Sequence, residues 1–167
     1  NYTDINSMSI GIELDFNPNG KNNKYSLKLI KSLIYLLNYL KKKYKIKNNC
    51  ILGHSDISPF RKIDPGNKFP WNKLVSKNLS FLPKKQNIKR KKILEKHFSE
   101  KNINSKKKQV LFMLAEIGYD TNILKNRKNK FKNLIQSYQL HFYQRNSNGI
   151  LDQKTLNKIK EHYLNLY

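Results

Sequence analysis

Side chains that could bind or assist a metal ion lie close together in the turn-rich segment from His54 to Gly66. His54 and Asp64 are ten positions apart, and imidazole and carboxylate groups are both common ligands of catalytic zinc. Lys62 lies between them and brings a positive charge to the same segment. The Pro65-Gly66 pair predicts a tight turn directly after Asp64. The segment is therefore interpreted as part of a zinc site, where the ion would act as a Lewis acid.

Each of these residues also has an ordinary structural interpretation. A single histidine is usually a surface or hydrogen-bonded residue, and an aspartate before Pro-Gly usually forms a turn. A glutamate at the end of an extended segment is usually a solvated charge. The spacing alone does not decide between a metal site and these alternatives.

Two further motifs flank the segment in order along the chain. Ser9-Ile-Gly-Ile-Glu-Leu14 precedes it and Phe69-Pro-Trp71 follows it. Together the three motifs closely resemble the zinc-dependent N-acetylmuramoyl-L-alanine amidases of the AmpD/AmiD type (the amidase_2 family), over about residues 1–75. Enzymes of this family hydrolyse the amide bond between N-acetylmuramic acid and L-alanine of peptidoglycan stem peptides.

The resemblance implies a role for each matching residue. His54 and Asp64 match two zinc ligands of the family. Glu13 matches the carboxylate that takes the proton of the attacking water and passes it to the departing nitrogen. Lys62 matches the cation that faces the developing oxyanion. The implied cofactor is Zn²⁺ and the implied partners are peptidoglycan or muropeptides.

One zinc ligand of the family has no counterpart in the chain. The family's first zinc histidine precedes the glutamate motif, and here only residues 1–8 do so, with no histidine among them. His97, His141 and His162 lie in segments that do not match the family's ligand strand. We therefore expect the third ligand, a histidine, to lie upstream of Asn1, so that the chain is N-terminally truncated. Its own activity would be poor or absent, and the alternative function is a noncatalytic peptidoglycan-binding protein.

The apolar pattern around these motifs predicts an α/β fold, with a mixed β-sheet, flanking helices and an incomplete N-terminus. Side chains alternate between apolar and other types over residues 9–14, which predicts a strand with Glu13 facing the cleft. Residues 25–44 carry the spacing of an amphipathic helix, with Ser26 as its cap. Residues 50–52 are interpreted as a short strand that ends just before the metal segment.

Other residues of this part are assigned structural roles. Asp56 and Arg61 could pair within the loop between the two zinc ligands. Phe60 is larger than the residue that relatives often have there. Trp71 could stack on a sugar, but core packing is the favoured interpretation.

Three parts are expected along the chain: the C-terminal part of the amidase catalytic domain over residues 1–80, a basic linker over 81–106, and a helical domain over 107–167. Between Pro83 and Lys108 there are eleven Lys or Arg residues against two Glu, which predicts a mostly solvated segment. Residues 107–167 show three helical apolar stripes. With Glu116-Ile-Gly-Tyr119 and Gly149-Ile-Leu-Asp152, they resemble the small three-helix peptidoglycan-binding domain often fused to such amidases. A generic helical appendage is the alternative.

The net charge of +23 raises the question of nucleic-acid binding. Only four of the 34 basic residues are Arg, the side chain best suited to bidentate recognition, so no specific nucleic-acid function is predicted. The single cysteine, Cys50, excludes an internal disulfide, and we expect it to be buried in its strand. No apolar stretch is long enough for a transmembrane segment. A monomer is expected, and the resemblance favours the cell envelope (periplasm or outer membrane) over the cytoplasm.

Overall fold

The computed structural model describes residues 4–17, 23–86, 88–100, 103, 105–121 and 130–166. Within these residues all regular structure is helical. The seven α-helices are α1 Leu27–Tyr44, α2 His54–Ile57, α3 Trp71–Ser76, α4 Ile88–Glu100, α5 Lys106–Ile117, α6 Lys130–Phe142 and α7 Gln153–Leu164. The described residues also contain short 3-10 turns at Asn6–Met8, Asn48–Cys50 and Gln144–Asn146.

The predicted α/β fold is wrong for the described residues, because none of them lies in a strand or sheet. Residues 10–17 are extended, and Ile12 and Leu14 are partly buried while Glu13 is exposed. The alternation of side chains is thus present without a sheet. A strand needs a neighbour that accepts and donates its backbone hydrogen bonds, and local alternation does not supply one. The second predicted strand begins instead within a 3-10 turn, where Cys50 is exposed rather than buried.

Helix α1 forms where the apolar spacing predicts it. The Ser26 hydroxyl accepts a hydrogen bond of 3.1 Å from the backbone N–H of Leu29, which caps the first turn. Lys45 ends the helix in the left-handed conformation. The buried face of α1 packs in a cluster that we call the N-terminal core, whose buried members are Ile30, Leu33, Leu37, Phe69, Trp71, Leu74 and Leu79. Trp71 is 3% exposed, which confirms the prediction of core packing.

The basic segment after residue 80 is more ordered than its charge predicts. Helix α4 occupies Ile88–Glu100 within it, and Leu94 and Phe98 are each 2% exposed. These two side chains are four positions apart, so they lie on one face of the helix and are both buried. Lys89, Lys92 and Lys96 of α4 are exposed, and a high charge density on a solvated side is compatible with a helix.

Helices α5, α6 and α7 lie on the three apolar stripes of the C-terminal sequence. Gly118 ends α5 with a φ of 119°, a conformation that favours glycine. The Asp152 carboxylate caps α7 by accepting a 2.7 Å hydrogen bond from the Thr155 N–H. With α4, these helices enclose a cluster that we call the C-terminal core. Its buried members are Leu94, Phe98, Val110, Met113, Leu114, Tyr119, Leu134, Ile135, Tyr138, Leu156, Ile159, Tyr163 and Leu164.

The two cores meet at the loop that carries the predicted zinc ligands. Phe60, in that loop, is partly buried against the C-terminal core. Trp71 of the N-terminal core stacks on His141 of α6, with ring centroids 3.6 Å apart. The domain boundaries at residues 80 and 106 stay a prediction. No helix among the described residues has the length and apolar character needed to cross a membrane.

Candidate functional site

His54 and Asp64 lie side by side at the protein surface. His54 Nδ1 is 3.0 Å from Asp64 Oδ2, and the two side chains are 40% and 57% exposed. His54 is the first residue of α2. The next residue, Ser55, donates its backbone N–H to the carbonyl of Asp64 over 2.9 Å. The loop therefore closes on itself and places an imidazole and a carboxylate together, as the sequence motif predicts.

This pair has the chemistry and spacing of two zinc ligands. Two ligands of one tetrahedral zinc, each about 2.1 Å from the ion, lie about 3.4 Å apart. The observed 3.0 Å between Nδ1 and Oδ2 is a hydrogen-bond contact, so the two groups would separate by about 0.4 Å to share an ion. No group of three or more His, Cys, Asp or Glu side chains suited to a metal occurs among the described residues. His54 and Asp64 thus fit as a partial ligand set.

Glu13 lies in an extended segment that is packed beside the same loop. Its neighbours Ile12 and Leu14 pack on the N-terminal core, so the Glu13 side chain is left exposed. Three residues later, the ring of Phe16 stacks on Tyr25 with centroids 4.0 Å apart. The Tyr25 hydroxyl donates a 2.9 Å hydrogen bond to the carbonyl of Pro65. The segment is therefore anchored to the loop at the residue that follows Asp64.

The Asp64 carboxylate also affects the pKa of Tyr25. Its pKa is raised, first because the phenol is partly buried and second because the Asp64 carboxylate is close. The phenol therefore stays protonated and keeps donating to the Pro65 carbonyl at neutral pH.

Lys62 lies on the same loop and is half-buried, two residues before Asp64. Its backbone N–H donates to the carbonyl of Ser58 over 3.0 Å. Within the described residues, no hydrogen bond or ion pair joins the side chain of Lys62 or Glu13 to His54 or Asp64. The structure thus brings two of the four predicted site residues into direct contact, and places the other two on the same loop and on a segment attached to it.

A second imidazole and carboxylate pair is buried, and its aspartate, Asp56, belongs to the same loop. His141 Nδ1 is 2.7 Å from Asp56 Oδ2, and these side chains are only 3% and 5% exposed. The same Asp56 oxygen accepts from the Gly53 N–H at 2.8 Å, and the other carboxylate oxygen accepts from the Tyr119 hydroxyl at 2.6 Å. We call Gly53, Asp56, Tyr119 and His141 the buried carboxylate cluster. The predicted pairing of Asp56 with Arg61 is wrong, because Arg61 donates instead to Ser58 Oγ.

Tyr119 is held in its protonated form by this environment. Its pKa is raised well above 10, first because burial disfavours the phenolate and second because the Asp56 carboxylate is adjacent. A protonated phenol is a donor, which matches the hydrogen bond that it makes to Asp56.

Ser80 extends the buried carboxylate cluster into a serine, histidine and aspartate series. Ser80 Oγ is 3.3 Å from His141 Nε2, the ring nitrogen opposite to the one facing Asp56. Serine, histidine and aspartate are joined in the same order in the catalytic triad of serine hydrolases. Ser80 is 3% exposed, and the His141 ring is stacked between Trp71 and Phe142. A nucleophile must reach its substrate, so we assign the series a structural role.

The sequence analysis missed the connection between Asp56 and His141. The pair spans 85 positions, and no local motif joins its members. One signal was available in α6, because His141 lies seven positions after Leu134 and three after Tyr138 and so continues the apolar stripe. A polar residue on a buried stripe predicts a buried partner.

A small cleft lies next to the buried carboxylate cluster, lined on one side by His162. Its volume of about 120 Å³ is below the roughly 300–1,000 Å³ of pockets that enclose small organic ligands. His162 is 5% exposed, and its Nδ1 has no hydrogen-bond partner within the described part of the chain. Its pKa is lowered to about 4, mainly by burial and then by the nearby His141.

Comparison with known proteins relates the chain to one family. The sequence profile of the N-acetylmuramoyl-L-alanine amidase family matches residues 1–67. The N-acetylmuramoyl-L-alanine amidase AmiD of Escherichia coli (strain K12) is 30% identical over 159 residues, which is 92% of this chain and 56% of that protein. The 1,6-anhydro-N-acetylmuramyl-L-alanine amidase AmpD of Haemophilus influenzae is 44% identical over 73 residues, 42% of this chain and 38% of that protein.

A solved structure supports the same relationship. The complex of E. coli AmiD with the substrate anhydro-N-acetylmuramic acid-L-Ala-D-gamma-Glu-L-Lys superposes with a TM-score of 0.67 and 26% identity, covering 86% of this chain and 54% of that one. The chain thus spans little more than half the length of AmiD. The profile match and these relatives thus show that the chain is similar to N-acetylmuramoyl-L-alanine amidases, with the profile matching residues 1–67.

Proposed function

We propose that the protein acts in zinc-dependent hydrolysis of the amide bond between N-acetylmuramic acid and L-alanine of peptidoglycan stem peptides. The observation that carries the proposal is the 3.0 Å contact between His54 and Asp64 within the part that matches the amidase family. In this proposal both residues bind zinc. The relative E. coli AmiD, solved with a muropeptide substrate, supports muropeptides as the substrate class.

The residues around the pair have distinct tasks in this proposal. Bound zinc would supply Lewis-acid polarisation of water and of the scissile carbonyl. Glu13, exposed on its extended segment, would take the proton from the attacking water and deliver it to the departing alanine nitrogen. Lys62 would stabilise the oxyanion, a role in which loss of one donor typically raises the barrier by about 2.7–4 kcal/mol.

Surface charge favours an anionic polymer as the binding partner. The chain carries 34 basic and 11 acidic residues, and stem peptides of peptidoglycan carry carboxylates. We propose that the helices of residues 107–167 contribute to this binding, and that the protein works as a monomer in the cell envelope.

Zinc stoichiometry and muropeptide turnover test the proposal. We expect Glu13→Gln to abolish turnover and to leave zinc binding unchanged, because Glu13 is a proton carrier and no ligand. Asp15→Asn is the matched control, since Asp15 is exposed on the same face of the same extended segment. Both variants are compared with the unsubstituted protein. Equal loss of turnover in both variants, or turnover without zinc, would contradict the proposal.

A second candidate function is noncatalytic peptidoglycan binding. It is favoured by the observation that the described residues contain no three-ligand metal group. Sedimentation of the chain with purified sacculi, together with metal analysis, separates the two functions. Retention on sacculi above a charge-matched control protein, with neither bound zinc nor turnover, would favour the second.

A further inference from the structure

We propose that Tyr119, which directly follows α5 and its Gly118 cap, and His141 of α6 are positioning residues for the His54 and Asp64 pair, and that they act through Asp56. This inference rests on the proposed function for its meaning, because it concerns the same zinc site. It assigns the C-terminal part of the chain a role in the site in addition to any binding of peptidoglycan.

The contact path begins at the Asp56 carboxylate. Tyr119 and His141 each donate to it, over 2.6 and 2.7 Å. The carboxylate in turn accepts the N–H of Gly53, the residue directly before His54. Two donors from the C-terminal part of the chain therefore hold the acceptor that fixes the backbone at His54.

The backbone at His54 is joined to Asp64 as well. The Ser55 N–H donates to the Asp64 carbonyl over 2.9 Å. Gly53 packs so closely on Pro65 that a Cβ added at Gly53 would lie 2.8 Å from Pro65 Cδ. A displacement of Gly53 would therefore move both ligand-bearing ends of the loop.

Helix α6 and the turn after it hold the loop at three further places. Ser137 Oγ donates to the Pro59 carbonyl over 3.2 Å. Gln144 Nε2 donates to the carbonyls of Asn67 and Phe69, over 3.2 and 2.8 Å. These bonds reach the loop on both sides of Asp64. The exposed ligand side chains are thus carried on a backbone whose fixed points come from the C-terminal helices.

The chain offers a matched pair of tyrosines for the test. Tyr119 and Tyr138 are both buried, and each hydroxyl donates one hydrogen bond. Tyr119 donates to Asp56, whereas Tyr138 donates to the Lys158 carbonyl in α7. Tyr119→Phe and Tyr138→Phe each remove one buried hydroxyl, but only the first removes a contact to the loop.

Two readouts are measured on the whole chain and both variants. The first is amide hydrogen exchange, expressed as the ratio of the Ser55 rate to the Ile159 rate. Global destabilisation raises both rates together, so the ratio isolates the loop. The second is Zn²⁺ affinity, followed by NMR of the His54 imidazole.

We expect Tyr119→Phe to raise the exchange ratio and to weaken Zn²⁺ binding, each about tenfold, the lower end of the usual effect of an outer partner on metal affinity. Tyr138→Phe should leave both within about twofold of the unsubstituted chain. An exchange ratio in Tyr119→Phe that equals that of Tyr138→Phe would overturn the inference. If Zn²⁺ does not perturb His54 even in the unsubstituted chain, the proposed function is contradicted, and the exchange ratio alone decides the positioning role.

Discussion

Two imidazole and carboxylate pairs within one loop region have opposite surroundings. His54 and Asp64 are 3.0 Å apart at the surface, with side chains 40% and 57% exposed. His141 and Asp56 are 2.7 Å apart, with side chains 3% and 5% exposed. The two aspartates are only eight positions apart in the sequence.

The difference shows what each pair can do. In the buried pair every polar atom is engaged: Asp56 accepts three hydrogen bonds, and His141 contacts Asp56 with one nitrogen and Ser80 with the other. A buried group without a partner is costly, so this pair is a structural tie. The exposed pair is open to solvent, and in the proposed function it binds zinc. In that proposal the same two side-chain types serve structure in the buried pair and metal binding in the exposed one.

The largest expected effect comes from Asp56→Asn. The asparagine amide cannot accept from Gly53, Tyr119 and His141 together, so at least one buried donor is left without a partner. We expect a loss of about 3–5 kcal/mol in the free energy of unfolding, the usual consequence of breaking a buried pair. Urea denaturation measures it. A loss below about 1 kcal/mol would show that the buried pair is no more important to stability than an exposed one.

Lowering the pH should reduce the free energy of unfolding, because His162 near the buried pair resists protonation in the folded protein. Its pKa of about 4 in the folded protein lies below the ordinary value of 6.5, because the ring is buried and faces His141, with Asp56 opposing the shift. Between pH 6.5 and 4 the unfolded chain therefore binds a proton that the folded protein does not. The contribution of neutral His162 to the free energy of unfolding is therefore complete above pH 6.5. It falls as the pH drops to 4, by about 3 kcal/mol in total.

The variant His162→Phe isolates this effect. The ring lies among Phe81, Tyr138 and Phe142, with centroids 4.5–5.9 Å away, so a phenyl group suits the site. The free energy of unfolding is measured by urea titration at pH 4, 5, 6 and 7 in both proteins. We expect a flatter profile in the variant, and parallel profiles would assign the pH dependence to other groups.

Helices α1, α5, α6 and α7 could be predicted from the sequence, whereas α2, α3, the full length of α4 and the contacts that join the helices could not. In α1, the spacing of Ile30, Leu33 and Leu37 and the cap at Ser26 are local signals, and local signals determine a helix. The extended segment around Glu13 shows the limit of the same reasoning. Its alternation was visible, but whether it pairs into a sheet depends on a neighbour elsewhere in the chain.

In the candidate site, too, the local features could be predicted from the sequence and the long-range contacts could not. His54 and Asp64 share one short motif, which predicted them as two ligands of one zinc ion; the structure places their side chains together. The tie between Asp56 and His141 depends on the packing of α6 against the loop, which no spacing reveals. The burial of Leu94 and Phe98 in a highly charged segment has the same origin, because a few apolar side chains at helical spacing outweigh a solvated lysine-rich face once a core is available.

A smaller loss is expected from Ser80→Ala. The substitution removes the 3.3 Å contact with His141 Nε2 and leaves the Asp56 side of the ring intact. We expect the free energy of unfolding to fall by about 1 kcal/mol, the net contribution of one hydrogen bond. Ser76→Ala is the control, because its exposed hydroxyl only donates to the Lys73 carbonyl. If Ser80→Ala costs as much as Asp56→Asn, the series from Ser80 to Asp56 acts as one unit and the comparison must be widened to include it.

The smallest effect on stability is expected from Asp64→Asn, although it alters one of the two residues proposed to bind zinc. The exposed contact with His54 is screened by solvent, so its loss should change the free energy of unfolding by less than about 1 kcal/mol. Zn²⁺ affinity at His54 should fall by at least about tenfold, because a direct ligand contributes more than an outer partner does. Urea denaturation and NMR titration of the His54 imidazole give the two values on the same sample. A large loss of stability with unchanged zinc affinity would reverse the roles assigned to the two pairs, since Asp64 would then be the structural carboxylate of the loop.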